Sequence, residues 1–498
     1  MELLKMYTPA NKTQSSFLDF NQPLGLRMNP DNRWIQMADR IPWDVFEKKY
    51  AHAFKNERRD GNISKPLRMA LGAMIIQARY GFSDRELVGM LTENPYFQYF
   101  IGLPGYQQEP PFEASLMVSF RKRISADTLM EANEYLLRSA EGSDQDDDKS
   151  DPPKSGGNGS ISPDTGHQDE EQENAGTMII DATCAPSNIR YPQDFSLLNE
   201  AREKCEHMID LFCRAYGFKK PRTGRRIARK NYLALAKCRK RPAKKIRKTI
   251  KKQLAFVRRD LGYLSTYMSD GYAAPFQKKE TENYLTILKL YEQQEYMYRK
   301  STHSIQGRIV SITQPFLRPI VRGKTKNPTE FGVKFDMSTD EHGFCRIEKF
   351  SFDPYNETGC LIEAAERYRK RTGKYPERIL ADQIYRSRTN RAFCREHHIR
   401  LSGPKLGRPS ETVARTERKI EYQDNTDRIE VERGFSLAKR CYGIGLIRCR
   451  LAETTLSTIA LSIFTMNLFR ITKRVLFTLL WFYQFFNVQY KSKIIATA

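Results

Sequence analysis

The 498-residue sequence predicts an α/β unit, a mixed sheet with flanking helices interrupted by a long basic helical insertion, set behind an all-α N-terminal domain. Three observations predict it. Short helices with punctuated ends follow one another from Ser64 to Ile124; two short apolar runs stop in aspartates, Asp181 and Asp382; and the stretch from Arg428 to Arg450 carries a helical period. Strands that end in carboxylates, with a packed helix bringing a third, can gather acids around one point.

The first sixty residues show no sustained period. From Ser64 the punctuation sharpens: Pro66 suits a first helical turn, LRMALGAMIIQARY is helical in composition, and Gly81 suits its C-terminal cap. Ser83-x-x-Glu86 is a capping box opening the next helix. A third helix is expected around Asn94 to Ile101 and a fourth from Glu113 to Ile124, the last ending in Arg121, Lys122 and Arg123. Tight turns and a basic end suit a helix-turn-helix-like DNA reader, and equally the wet face of a plain bundle. This domain is placed at 1–139, with its core at 64–139.

Residues 140–176 read as a disordered acidic linker. Between Glu141 and Glu173 stand 11 acidic residues and 2 lysines, a local charge of −9, with too few apolar side chains to offset ordering entropy. Such a stretch can compete with DNA for basic surfaces. His167 within it reads as a solvated side chain.

The pattern then changes to strand, TMIIDATCAPSNIRYPQD, with three apolar residues directly before Asp181. A carboxylate there is costly unless paired or bound to a cation. The helical insertion is placed at about 198–305. From Arg214 to Arg259 it holds 20 Lys/Arg and no Asp or Glu in 46 residues, with Tyr216, Phe218, Tyr232 and Phe256 interleaved. A solvated helix normally carries both signs, so this block reads as a phosphate-tracking surface, with Arg225, Arg226, Lys244 and Lys245 as candidate DNA contacts.

Between Arg308 and Asp353 the pattern is strands and turns: RIVSIT, a basic loop, FGVKFDMSTD and FCRIEKFSFD. A helix (ETGCLIEAAERYRKR) is stopped by Gly373 and Pro376. RILADQIY is another short apolar strand, carrying the carboxylate Asp382, and a helix from Asn390 to His397 and a strand IRLSG complete the order. His397 and His398 point about 100° apart on a helix, which argues against one shared metal.

On the last helix, Arg428, Glu432 and Lys439 fall within roughly 40° of one another, while Val431, Phe435, Ala438 and Tyr442 form an apolar stripe. Glu430 lies about 160° from Glu432 and should face elsewhere. The same pattern fits an ordinary surface helix with an Arg428–Glu432 pair.

The chain carries 83 Lys+Arg against 59 Asp+Glu, a formal net charge of +24, which favours a polyanionic partner. Nine cysteines without a C-x-x-C pair give neither a disulfide framework nor a zinc spacing and fit a reducing cytoplasm. The start lacks a secretion signal. The apolar C-terminal run is broken by Asn467, Arg470, Lys473 and Arg474, and its clean part is shorter than the ~17 to 25 residues of a span. No membrane role is expected; 471–498 reads as a closing apolar helix or tail.

Three acids gathered at one point stay ionised only beside cations, and oxygen ligands select Mg²⁺ or Mn²⁺. Asp181 in IIDAT, Asp382 in ADQIYRSR followed by IRLSGPKLGRP, and Glu432 in the stretch ending YGIG-x-IRCR resemble the DDE transposases of bacterial insertion sequences. Arg428, Glu432 and Lys439 match that group's Tyr-x2-Arg-x3-Glu-x6-Lys signature, although Asn425 stands at the tyrosine position. The stretch from Ser64 to Ile124 resembles the InsH-like helical domain that precedes such catalytic domains.

The resemblance implies a ribonuclease-H-like catalytic domain at 177–470, with two Mg²⁺ ions (or Mn²⁺) on Asp181, Asp382 and Glu432. It implies that Lys439, Arg428 and Arg386 meet DNA, with Arg428 otherwise supporting Glu432. The activity would be cleavage to a 3′-OH and transfer of that strand into target double-stranded DNA. Holding two terminal inverted repeats implies a homodimer or higher oligomer on DNA, in the bacterial cytoplasm at the nucleoid. Two alternatives stand beside it: a ribonuclease-H-like endonuclease without strand transfer, and a catalytically inactive DNA-binding repressor.

Overall fold

The computed structural model describes residues 17–22, 27–52, 54, 64–146, 173–321, 329–403 and 411–473. The bulk of the acidic stretch, the basic loop 322–328, the run 404–410 and the tail beyond Lys473 lie outside the described residues.

Seven helices form the N-terminal part: α1 (Arg33–Arg40), α2 (Trp43–His52), α3 (Leu67–Tyr80), α4 (Asp84–Glu93), α5 (Pro95–Phe100), α6 (Leu116–Arg123) and α7 (Ala126–Asp146). Local signals set their ends. Gly81 closes α3 in the left-handed region at φ 72°, and the Ser83/Glu86 capping box is formed in both directions. Asn94 caps α5 ahead of Pro95. α1 and α2 fall where the sequence offers no clear period; Asn32 caps α1, and Trp34, Ile35, Met37 and Ala38 bury one face of it. Arg68, also buried, donates to the carbonyls of Phe100 (3.1 Å) and Tyr99 (2.8 Å) and lies over the Trp43 ring, so its charge is satisfied by carbonyls and an aromatic face.

After α7 come β1 (Thr177–Pro186), the helices α8 (Asp194–Tyr216), α9 (Arg225–Ala236), α10 (Ala243–Ser269) and α11 (Lys278–Lys300), then β2 (Arg318–Val321), β3 (Thr329–Asp340) and β4 (Cys345–Ser351). The chain closes with α12 (Cys360–Thr372), β5 (Arg378–Ala381), α13 (Arg388–Glu396), β6 (Arg400–Leu401), α14 (Glu411–Cys441) and α15 (Ala452–Lys473). The mixed sheet runs β2-β3-β1-β5-β6, with β4 also on β3; β1 is antiparallel to β3 and parallel to β5, and β5 is parallel to β6.

Period-two alternation divides the sheet's two faces. Ile179 and Ala185 of β1, Val333, Phe335 and Met337 of β3 and Leu380 of β5 share a core with α14, whereas Met178 and Ile180 pack with α12. The stripe of α14 is buried as its spacing predicts: Val431, Phe435, Ala438 and Tyr442 all lie in that core.

The same core runs on into the N-terminal helices. Trp34 meets Phe469 of α15 edge to face at 5.6 Å, Arg79 lies over Tyr442 and Phe469, and the Asn467 amide donates to Asn133 of α7 and to the Cys345 carbonyl, both at 2.7 Å. α15 is the one helix among the described residues long and apolar enough to cross a membrane, and most of it is buried inside this core. Its 22 residues extend past residue 470, the boundary the sequence suggested.

Three further expectations change. RIVSIT is not a strand: Ile309 and Ile312 turn into the helical cluster of α8, α10 and α11, and the Ile309 N–H binds the Gln293 side chain instead of a sheet partner. α7 runs on through Asp146, into the segment read as linker. At that segment's other end, the Ala175 N–H reaches the Tyr375 carbonyl and Asn174 donates to the His397 carbonyl. Paired backbone anchors that end without a regular element. α6 also starts at Leu116 rather than Glu113.

Candidate active site

Strand register places the first two acids side by side. β1 pairs with β5 through Ile180 opposite Ala381, so Asp181 and Asp382 each lie one residue past that last pair on neighbouring parallel strands. In open sheets the carboxyl ends of parallel strands are where ligands bind. Asp382 also opens the 3₁₀ turn Gln383–Tyr385, its carboxylate accepting from the Gln383 N–H at 2.7 Å.

α14 crosses this edge and delivers the third acid. Arg428 stands 3.7 Å from Asp382 Oδ1 and 3.7 Å from Glu432 Oε1, and its charge also reaches Asp181. Asp382 and Glu432 are about half exposed, at 55% and 56% of their side chains, so they open to solvent. Glu430 faces elsewhere: it pairs with Arg470 at 2.8 Å and Arg433 at 3.5 Å, against the Asp340–Gly343 turn. Gly343 is required in that turn twice over, by φ 79° and because a side chain there would meet Arg470.

Burial pushes the Asp181 carboxyl up to about 6; the Ala182 N–H and Arg428 pull it back, while Glu357 and Asp382 push it further. Glu357, in the 3₁₀ turn after β4, is a fourth acid at this edge that the sequence did not single out, and Lys334 pairs with it at 2.7 Å. Lys439 donates to Thr183 Oγ1 at 2.9 Å, two residues beyond Asp181 on the same strand face, or about 7 Å along β1. Behind the acids, Asp336 of β3 is fully buried and accepts hydroxyls from Tyr385, at 2.6 Å, and Tyr355. Alternation along β3 was the available sign of Asp336, since Val333, Phe335 and Met337 claim the opposite face.

The three acids offer hard oxygen donors of the kind Mg²⁺ and Mn²⁺ take. Among the described residues no three His, Cys, Asp or Glu side chains are grouped closely enough to hold an ion, and Arg428 supplies the positive charge between Asp382 and Glu432. The donor chemistry fits a divalent metal. Closing the acids on one requires the guanidinium to move aside.

The remaining sequence-derived residues divide sharply. Arg121 is engaged by Asp84 in a two-point pair (2.9 and 2.7 Å), and Arg123 lies over Phe54, leaving Lys122 exposed. Arg225 is clamped on Asp210 (2.7 and 2.8 Å), whereas Arg226, Lys244 and Lys245 are exposed. Arg386 donates to the Ser402 carbonyl at 2.9 Å and covers Gly403, whose lack of a side chain leaves room for it. Tyr216 and Phe218 stack with one another and meet Tyr272 at the bundle's end, so they do not form an open base-stacking platform. His397 packs on Tyr375 and Phe393, apart from His398, whose φ is 52°.

Asp181, Asp382 and Glu432 at one edge of the sheet, with Arg428 and Lys439 beside them, are the kinds of groups that phosphodiester chemistry uses. The Transposase DDE domain family matches residues 379–469, which include Asp382, Glu432 and Lys439 and begin after Asp181; the Transposase domain (DUF772) family matches residues 24–123. Two stretches of the chain thus match transposase families, an InsH-like helical N-terminal domain and a DDE catalytic domain. Among its relatives is the uncharacterized protein ORF8 in the nfe locus of Rhizobium meliloti, 28% identical over 197 residues, 39% of this chain and 82% of that protein. No solved structure matches the chain.

Proposed function

We propose that this transposase binds the terminal inverted repeats of its own element, cleaves them to free a 3′-OH, and joins that end to target DNA. The catalytic domain is read as ribonuclease-H-like, a reading supported by the mixed β4-β3-β1-β5-β6 order with β1 antiparallel to β3 and parallel to β5. The observation that carries the proposal is the convergence of Asp181, Asp382 and Glu432 on Arg428 at the ends of two parallel strands.

Asp181, Asp382 and Glu432 would hold the divalent ions, two on this reading, which supply the charge that activates an attacking oxygen and stabilises the leaving one. The Asp181 carboxyl, raised by burial, gains ionisation from a nearby cation. Arg428 keeps the acids' mutual repulsion in check and is free to turn to a phosphate once they are otherwise neutralised. Lys439, on the same strand face as Asp181, is placed to fix a backbone phosphate near the scissile bond. The exposed cations of α9 and α10, with Arg226, Lys244 and Lys245 among them, extend the DNA surface. Two element ends held together call for at least two copies of the chain.

The test is Mg²⁺- or Mn²⁺-dependent cleavage of DNA carrying the gene's flanks. Wild type and Glu430→Gln should cleave, while Glu432→Gln should bind and not cleave. Equal cleavage by all three would remove Glu432 from the site.

A further inference from the structure

A cleft of about 510 Å³ lies outside the acid cluster, and nothing above employs it. Its walls are the segment 188–193 after β1, the first turns of α8, one edge of α9 and residues 310, 311, 313 and 314; Arg190, Tyr191, Arg229, Tyr232, Gln314 and Arg450 line it. The cleft belongs to the same extended chain as Asp181. β1 continues through Ser187, which bridges to Ile447, and the Asn188 N–H binds the Ile447 carbonyl at 2.8 Å. This bridge brings Arg450, downstream of Lys439, to the cleft wall. From Asp181 to Asn188 the chain spans at most about 23 Å, or about seven base-pair steps.

The lining is chemically specific. Tyr191 is 67% exposed while its ring meets Phe331 edge to face at 5.5 Å, which presets a stacking face. Three guanidiniums suit backbone phosphates. Gln314 is only 4% exposed, and its Oε1 has no hydrogen-bond partner among the described residues; nor does Ser196 Oγ, on α8, which also lines the cleft. A buried acceptor left unpaired is costly until a donor reaches it. Glu200 and Glu203 of α8 also line the cleft, so a bare anion is opposed there, whereas a base with an amino edge finds acceptors. An aromatic face, cations and orphaned acceptors together match one nucleotide with its base out of the stack.

We propose that this cleft takes one unpaired nucleotide of the bound DNA, its base on Tyr191 and its amino edge toward Gln314, about seven steps from the bond that is cut. The proposal rests on the transposase reading above and adds a second point at which the DNA is gripped.

The experiment uses the full chain and duplexes of the gene's flank in which 2-aminopurine, whose fluorescence rises on unstacking, replaces one base at successive positions. Binding should raise the signal at a position five to nine steps from the cleaved bond. Tyr191→Ala should abolish the rise and weaken binding by about ten-fold, the order expected for one base–aromatic stack. Arg450→Gln, at an exposed position, should weaken binding without abolishing the rise. Glu432→Gln should keep both signals, so a failed cleavage test leaves this one readable. Unchanged binding by Tyr191→Ala with no rise at any position would overturn the cleft assignment alone. A flank that does not bind at all would overturn both readings. Loss of self-association in Tyr191→Ala, with DNA signals unmoved, would make the occupant a protein segment and overturn the proposal.

Discussion

Tyr385 donates its buried hydroxyl to Asp336 Oδ1 at 2.6 Å, three residues from Asp382. The bond ties the turn that carries an acid to the middle of β3. Asn390 reinforces it by donating to the carbonyls of Tyr385 and Thr358, both at 2.8 Å, and Thr358 Oγ1 donates to the Ile384 carbonyl at 2.9 Å. The turns carrying Asp382 and Glu357 are therefore locked to each other.

Tyr385→Phe keeps the ring and deletes the hydroxyl. Asp336 retains Tyr355 and the Cys360 thiol, so the buried carboxylate loses one of three donors. The loss should be about 1.5–3 kcal/mol, the range for hydrogen bonds to charged groups, read from urea unfolding. On the proposed function, the half-saturating Mn²⁺ concentration for cleavage should also rise, because Asp382 is held less firmly. A stability loss with unchanged Mn²⁺ dependence would confine Tyr385 to a structural role.

Arg121 is expected to matter for folding more than for DNA. Its two-point pair with Asp84 joins α6 to α4, and Gln77 accepts from the same guanidinium at 3.1 Å. Burial pushes the Asp84 carboxyl up, but the bonds from Arg121 and Gln77 outweigh it and hold it below the usual value of 3.8. The stabilisation is therefore present above pH ~4 and lost as pH falls through the lowered folded value. Arg121→Ala should cost about 1–3 kcal/mol by leaving the Asp84 carboxylate with only the Gln77 amide as side-chain donor. Lys122→Ala should leave stability within about 0.5 kcal/mol. If this helix end meets DNA, the salt slope of Lys122→Ala should fall by about one.

Asp260 gives the helical insertion a pH dependence of opposite sign. It is fully buried on α10, and burial raises its carboxyl to about 6; Arg259 pulls it down, Glu206 pushes it up and Arg202 pulls it down. Its Oδ2 has no hydrogen-bond partner among the described residues. Between pH ~4 and ~6 the folded state binds more protons than the unfolded chain, so this group's contribution falls as pH rises through that window. Asp260→Asn should be more stable than wild type at pH 7, by at most about 3 kcal/mol, with the advantage gone near pH 4. Urea unfolding at both pH values checks it, and an equal difference at both would reject the assignment.

Local punctuation was the most legible part of the sequence. The Ser83/Glu86 box and Gly81 act through neighbouring residues, and each marks the helix end that forms. The α14 stripe and the turning away of Glu430 follow from helical geometry alone. What the sequence withheld depends on distant chain segments. RIVSIT has strand composition, yet its isoleucines are claimed by the helices of the insertion. Charge counts could not tell Arg225, consumed by Asp210, from Arg226 beside it. Glu357 and Asp336 reach the acid edge only through the sheet's folding.

Arg428 offers the sharpest test of how the acids are held apart from a metal. Its guanidinium lies 3.7 Å from both Asp382 and Glu432, so a cation bound by those acids competes with a charge the chain already supplies. Arg428→Met removes the charge and keeps much of the apolar stem. With less competition, calorimetric Mn²⁺ binding in the absence of DNA should tighten several-fold, and Asp382→Asn in the same background should abolish that gain. Cleavage of the flanks should nevertheless fall, since the variant cannot turn a guanidinium to the phosphate. Weaker Mn²⁺ binding would instead mean that Arg428 orders the carboxylates for the ion, making it a support for Glu432 rather than a competitor.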